Sequence, residues 1–183
     1  VVITDVNTGD VLAMVSYPGY DTHKMANTVD AEYYARLNAD KSSPQLNFAT
    51  QYKAAPGSTF KIVSATAGLM ENVINLQTKV NCVGTFTEIT PSPRCWKISG
   101  HGYENVTSAI KDSCNYFFYN VGYQLATSSG SYNEEAGLET LSKYADLYGL
   151  TDKSGVEIGE YAPDVSTKDP VRSAIGQGSN SYT

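Results

Sequence analysis

The sequence predicts an α+β fold, an antiparallel β-hairpin at the start of the chain followed by a mainly helical body. Three observations carry that expectation. Residues 1–6 and 11–16 are rich in β-branched and apolar side chains and are separated by the turn-forming Asn7-Thr8-Gly9-Asp10. Residues 59–71 place apolar or small side chains at nearly every angular position of a helix. Residues 134–148 form an amphipathic helical pattern that Gly149 stops.

Taken in order, both faces of the second run, Val11-Leu12-Ala13-Met14-Val15, are apolar, so the hairpin is expected to be covered on two sides by more sheet or by helices. Residues 17–57 are rich in Tyr, Asn, Asp, Ser and Pro, with one helical candidate at 30–37. A connection that long shapes a site more often than it merely joins elements. The 59–71 helix, apolar all round, is expected to be central. Residues 78–102 hold Cys82, Cys95 and the single tryptophan among glycines and prolines and read as an irregular excursion. Residues 107–111 and 116–125 read as two helical pieces broken at Ser113-Cys114-Asn115, because Ser and Asn favour caps and turns. The last helix turns Leu138, Leu141, Ala145 and Tyr148 to one face, with Ser131-Tyr132-Asn133 placed to cap it.

At 183 residues the chain suffices for one well-buried core. A net charge of −6 and the absence of any basic run argue against nucleic acid as a partner. No apolar run approaches the roughly 18 residues of a membrane span, and the first residues lack the basic region and cleavage site of a signal peptide. Val1 opens inside a β-branched run and "GQGSNSYT" ends without a helix stop, so a piece of a longer protein is expected.

The stretch "AAPGSTFK" places Ser58 and Lys61 three apart at the mouth of the central helix. Serine is a preferred N-cap, and a cap alone would account for Ser58. Lys61 weakens that account: a capping box wants Glu or Gln there, and the positive end of the helix repels a cation. Burial and the dipole both disfavour the ammonium, which is what a lysine needs to act as a base near neutrality. Nucleophile, base and the N-H groups of half an oxyanion hole then come from one helical turn. The spacing alone is weak, since "SAIK" at Ser108 to Lys111 repeats it; with Pro-Gly in front it is moderately specific. Ser113-x-Asn115 is weaker still, but the helix break could aim a hydroxyl and an amide into a cleft.

With these residues in view, the chain resembles the penicillin-binding proteins and serine β-lactamases, whose motif set begins with Ser-x-x-Lys and Ser-x-Asn. The resemblance runs in order through "VVITDVNTGDVLAMVSYPGYD", "NFATQYKAAPGSTFK", "HGYENVTSAIKDSCNYFFYNVG", "YADLYGLTDKSGVEIGE" and "SAIGQGSNSYT". It implies that residues 1–183 are a single partial transpeptidase domain, with the hairpin of the antiparallel sheet and most of the helical subdomain. It implies catalytic roles for Ser58 as acylated nucleophile, Lys61 as its proton partner and Ser113 as proton relay, with Asn115 holding the substrate amide, and neither metal nor cofactor. The implied reaction is acyl transfer from D-Ala-D-Ala stem peptides of peptidoglycan. β-Lactams are trapped as slow-turning acyl-enzymes. The implied setting is the extracytoplasmic face of a bacterial membrane, on an anchor preceding this chain and within a cell-wall synthesis complex. A monofunctional class B parent is favoured over class A; a β-lactam sensor and a serine β-lactamase are the alternatives.

The family's third motif, Lys-Thr-Gly or a relative, is expected beyond "IGQG". Lys153-Ser154-Gly155 precedes that block and is read as a coincidence, so the third motif and its strand are expected to be missing. Asn47-Phe48-Ala49 stands where the family often has Asn-Arg-Ala. Cys82 and Cys95 either close a disulfide loop or stay as thiols. A zinc site from the cysteines and His101 has no ligand spacing to recommend it. The "NVT" at Asn105 matches a glycosylation sequon without evident meaning.

Overall fold

The computed structural model describes residues 1–183 and resolves them into two compact units. The smaller comprises Val1–Lys53, Val156–Tyr161 and Thr183; the larger comprises Ala54–Gly155 and Ala162–Tyr182.

The smaller unit opens with the expected hairpin, β1 (Val2–Thr4) paired antiparallel with β2 (Val11–Met14) through the register Val2 to Met14 and Ile3 to Ala13. Asp5 builds the turn: its Oδ1 accepts the N-H groups of Asn7 and Thr8, and Gly9 takes the left-handed φ of +80°. The expectation of cover on both faces is not met, since Val2, Ile3, Val11 and Leu12 are all exposed. Helix α1 (Ala31–Ala39) begins where Asp30 caps it, its side chain accepting from Tyr33 N-H at 2.9 Å. Asn47 gives the Asn-Phe-Ala stretch a structural role. Its Oδ1 accepts from Ser16 Oγ at 3.1 Å and from Ala49 N-H at 3.1 Å, tying the end of the hairpin to residues 47–49.

The larger unit holds the core. Helix α2 (Lys61–Met70) buries Val63, Ser64, Ala65, Ala67 and Gly68, yet Ile62 and Met70 face solvent, so the helix is less enclosed than its composition suggests. The 78–102 excursion contains a small antiparallel pair the sequence did not reveal, β3 (Val80–Cys82) with β4 (Gly102–Glu104). Three-residue strands among glycines and prolines leave no alternating pattern to read. Helix α3 (Val106–Lys111) starts at Asn105, which makes a reciprocal capping box with Ser108. Both the sequon asparagine and the chance Ser-x-x-Lys serine thereby have structural work.

Helix α4 (Asn115–Thr127) is the axis of the unit, with Phe117, Phe118, Val121 and Leu125 sealed from solvent and α2, α5 (Glu134–Leu147) and α6 (Pro170–Ser173) against it. Gly122 permits the closest approach: a Cβ there would lie 2.5 Å from Pro170 O. Asn133 caps α5 as expected, accepting from Ala136 N-H at 3.1 Å. No helix is long and apolar enough to cross a membrane.

Candidate active site

Ser58, Lys61, Ser113 and Asn115 all come from helix starts or helix ends of the larger unit. Gly57, at φ +58°, opens a 3-10 turn, Gly57–Phe60, that runs directly into α2. Pro56 occupies the N-cap position of that turn, and no side chain caps it. Ser58 is therefore not a cap. Its exposed Oγ instead accepts hydrogen bonds from Lys61 Nζ at 3.1 Å and from Ser113 Oγ at 2.9 Å.

The turn is braced from behind. Gly57 N-H donates to Gly176 O at 3.0 Å, and a Cβ on Gly176, itself at φ +71°, would stand 2.1 Å from Gly57 O. A buried hydroxyl and amide network holds the Gly176 segment: Ser173 Oγ donates to Ser166 Oγ at 2.6 Å, and Asn180 Oδ1 accepts from Ser166 N-H at 3.0 Å. Ser64 of α2 adds a bond to Ala174 O at 2.7 Å. Sequence reasoning used "IGQG" only as a landmark; the glycine's contact with the Ser58 turn was not legible without the fold.

Lys61 is 2% exposed, beneath Ser58 and 5.7 Å from the centroid of the Phe118 ring. Four oxygens surround its Nζ: Ser58 Oγ at 3.1 Å, Ser113 O at 2.9 Å, Ser113 Oγ at 3.0 Å and Asn115 Oδ1 at 2.6 Å. An ammonium has only three N-H groups, so it cannot donate fully to all four. A neutral amine has a lone pair to accept the Ser58 hydroxyl proton. Burial lowers the Lys61 pKa from its usual value to about 8, against an opposing pull from the sulfurs of Cys114 and Cys95. None of the surrounding oxygens belongs to a carboxylate, which leaves desolvation dominant.

Ser113 ends α3 in a Schellman arrangement. Cys114 N-H reaches back to Ala109 O at 2.8 Å and Ser113 N-H to Ile110 O at 3.1 Å, with Asp112 as the C-cap. The left-handed position of that motif is normally glycine; here it is Ser113 at φ +50°. A non-glycine residue in this region is strained by about 1 kcal/mol or more. The strain turns Ser113 Oγ toward Ser58 and Lys61. Asn115, the first residue of α4, presents its Oδ1 to Lys61 in the same turn. Trp96, whose part the sequence did not indicate, donates from Nε1 to Ser113 O at 3.1 Å and to Asp112 O at 3.2 Å. Lys153, Ser154 and Gly155 lie exposed in an irregular stretch after α5 rather than on a strand.

Beside this turn lie the cysteines. Cys82 ends β3, Cys95 follows the bridge between Thr85 and Arg94, His101 precedes β4, and Cys114 is the N-cap of α4. All three cysteines are free and buried, so Cys82 and Cys95 do not form the disulfide that the sequence left open. The three sulfurs and a ring nitrogen of His101 lie within 4.8 Å of one another, a proximity for which no ligand spacing in the sequence spoke. The spacings of 13, 6 and 13 residues follow no short motif, because two strands and a helix start are needed to bring them together. Burial raises the Cys114 thiol far above its usual value, and the sulfurs of Cys95 and Cys82 add to the effect. Burial also penalises the Cys95 thiolate, but N-H groups of Tyr116, Lys97 and Asn115 outweigh it and hold that thiol below its usual value.

The family profile described as "Penicillin binding protein transpeptidase domain" matches residues 1–183. A peptidoglycan D,D-transpeptidase MrdA of Escherichia coli strain K12 is 33% identical over 163 residues, which is 87% of this chain and 24% of that protein. The chain thus spans about a quarter of the length of the curated relatives it matches. Among solved structures, a complex between the penicillin-binding protein PBP2 and MreC from Helicobacter pylori superposes with a TM-score of 0.89 at 25% identity, over 100% of this chain and 35% of that one. A Pseudomonas aeruginosa PBP2 in complex with WCK 5153 gives a TM-score of 0.85 at 26% identity, over 100% and 43%.

Proposed function

The chain belongs to the penicillin-binding protein transpeptidase family, and from that premise we propose that it is the N-terminal part of a peptidoglycan D,D-transpeptidase domain acting through an acyl-serine intermediate. The observation that carries the reading is the mutual approach of Ser58, Lys61 and Ser113, with Oγ to Nζ at 3.1 Å and 3.0 Å and Oγ to Oγ at 2.9 Å.

The neutral Lys61 amine takes the Ser58 hydroxyl proton as Ser58 Oγ attacks the carbonyl of the penultimate D-Ala in a D-Ala-D-Ala stem peptide. The N-H of Ser58 supplies one donor for the developing oxyanion. Ser113, bonded to both partners, passes the proton to the departing D-Ala amine. Asn115 holds Lys61 through Oδ1 and offers its amide nitrogen to the substrate's peptide carbonyl. An amino group of a neighbouring stem peptide then takes the acyl group and frees Ser58. A β-lactam follows the first half of this path and stays on Ser58. The third motif and its strand belong to a part of the domain outside residues 1–183. The relatives named for MrdA and PBP2 support a class B parent, and the Helicobacter pylori complex of PBP2 with MreC supports a protein partner for it; a place on the extracytoplasmic face of the membrane is the part of the reading that the peptidoglycan substrate calls for.

The test is incubation with a reporter penicillin followed by intact mass. An adduct on Ser58, lost in Ser58→Ala, is expected of the full-length protein. Absence of any adduct in the full-length protein overturns the reading.

A further inference from the structure

We propose that the indole of Trp96 is the docking face for the incoming acceptor amine, which it holds as the ammonium by a cation–π contact before attack on the acyl group of Ser58. This role rests on the function proposed above, and it makes Trp96 a residue that favours an amine over water as the acceptor.

Trp96 is both exposed and fixed. The only tryptophan of the chain, it leaves 62% of its surface to solvent, although few side chains have more apolar area to gain by burial. Its orientation is nonetheless set. Nε1 donates to Ser113 O at 3.1 Å and to Asp112 O at 3.2 Å, and the ring packs edge-on against His101 with centroids 5.1 Å apart. An aromatic face immobilised in this way loses little freedom when a ligand settles on it. Tryptophan is also the best of the aromatic side chains for a cation, and donation from Nε1 to two carbonyls polarises the ring in the favourable sense.

The neighbours of the indole identify the ligand. Ser113 O accepts from Trp96 Nε1 and also from Lys61 Nζ at 2.9 Å, while Ser113 Oγ lies 2.9 Å from Ser58 Oγ. A single residue thus joins the indole to both reacting groups. Ser113 Oγ gives a proton to the departing amine, so by microscopic reversibility the acceptor amine reaches the acyl group at the same atom. That amine is an ammonium in neutral water. The oxygens around Lys61 offer it no carboxylate, being two hydroxyls, a carbonyl and an amide. Asp112, the nearest acid in the sequence, pairs with Lys111 at 3.5 Å. A carboxylate in this place would attract the ammonium but would equally raise the Lys61 pKa and spoil the base. A ring face attracts a cation without carrying a full charge.

On the indole the ammonium releases one proton to solvent. Its lone pair then attacks the acyl carbonyl and the N–C bond forms. As the C–Oγ bond breaks, the second proton passes through Ser113 Oγ to Ser58 Oγ, and Lys61 ends neutral as it began. Water carries no charge for the ring to hold and gains nothing from Trp96.

The experiment uses the full-length protein with a thioester donor of an acyl-D-Ala group and, as acceptor, a short peptide bearing a primary side-chain amine. Transfer and hydrolysis products are separated and counted. Both arise from one acyl-enzyme, so their ratio does not depend on how fast that species forms. Trp96→Ala is expected to lower transfer relative to hydrolysis at least threefold, and Trp96→Phe, which keeps a ring face without the Nε1 bonds, by less. The same peptide with its amine trimethylated keeps the charge and cannot react. It is expected to inhibit transfer and to quench Trp96 emission, isolated by subtracting the Trp96→Phe variant, whereas the neutral tert-butyl isostere does neither. An unchanged product ratio in Trp96→Ala, or equal inhibition by the neutral isostere, overturns the proposal. A wild type that yields neither product overturns the transpeptidase reading; quenching by the trimethylated peptide alone then supports the ammonium face, and its absence removes it.

Discussion

With its pKa near 8, Lys61 is a free amine in about one molecule in ten at pH 7. Because the amine is the base, acylation is expected to rise about tenfold per pH unit below 8 and to level off above it. Stopped-flow trapping of a reporter β-lactam across pH 5 to 9 measures this, and a flat profile would remove Lys61 from the role. Ser113 supports a second prediction with opposite signs for stability and activity. Ser113→Gly relaxes the left-handed position and is expected to raise stability by about 1 kcal/mol, read as an increase in Tm. The same change removes the hydroxyl that bonds Ser58 Oγ and Lys61 Nζ, and acylation is expected to fall by about 10² or more. A variant that lost stability while acylating normally would contradict both halves. At this scale the sequence was informative where a residue broke a local rule, as Lys61 does at a helix start. It was silent on the part Trp96 plays and left the cysteines open between a disulfide and free thiols, because their neighbours in space lie far away along the chain.

Helix ends carry the site, so the elements have predictions of their own. Asn105→Ala removes the α3 capping box and is expected to cost about 1 kcal/mol in urea unfolding. An unchanged midpoint would show that α3 is held by packing alone. Gly176→Ala drives a methyl into the backbone of Gly57 and forces a positive φ on alanine, for a loss of about 2 kcal/mol or more and a displaced Ser58 turn. Acylation at the wild-type rate would sink the bracing role given to Gly176. The extents of α1 and α5 were legible because the capping residues Asp30 and Asn133 stand just before apolar periodic runs, and that of α4 because Ser113-Cys114-Asn115 breaks the helical pattern before it. Strands β3 and β4 were not, since three residues hold too little pattern. Helix α6 was missed for the same reason: four residues make one turn, fixed by the tertiary contacts of Pro170 and Val171 rather than by propensity.

For the whole molecule, the hairpin exposes Val2, Ile3, Val11 and Leu12 against a net charge of −6 that keeps copies apart only weakly at physiological salt. The isolated chain is expected to associate as its concentration rises, and Ile3→Lys with Leu12→Lys is expected to keep it monomeric in sedimentation velocity. Identical sedimentation of the two proteins would exclude the hairpin as the adhesive face. The α+β class and the order of elements were readable because the hairpin and the long helices have distinct periods. The division into two units was not, for residues 156–161 pass to the smaller unit without any shift in composition. One feature of the larger unit reaches further. Ala54 and Tyr182, at its two ends, exchange N-H to O hydrogen bonds of 2.9 Å each way, and Ser58, Lys61, Trp96, Ser113 and Asn115 all lie between them. The reacting groups therefore sit on a length of chain whose ends already meet, the geometry that suits circular permutation. Joining 182 to 54 by a short linker and opening the chain in the exposed 128–133 turn creates new termini far along the sequence from every one of those residues.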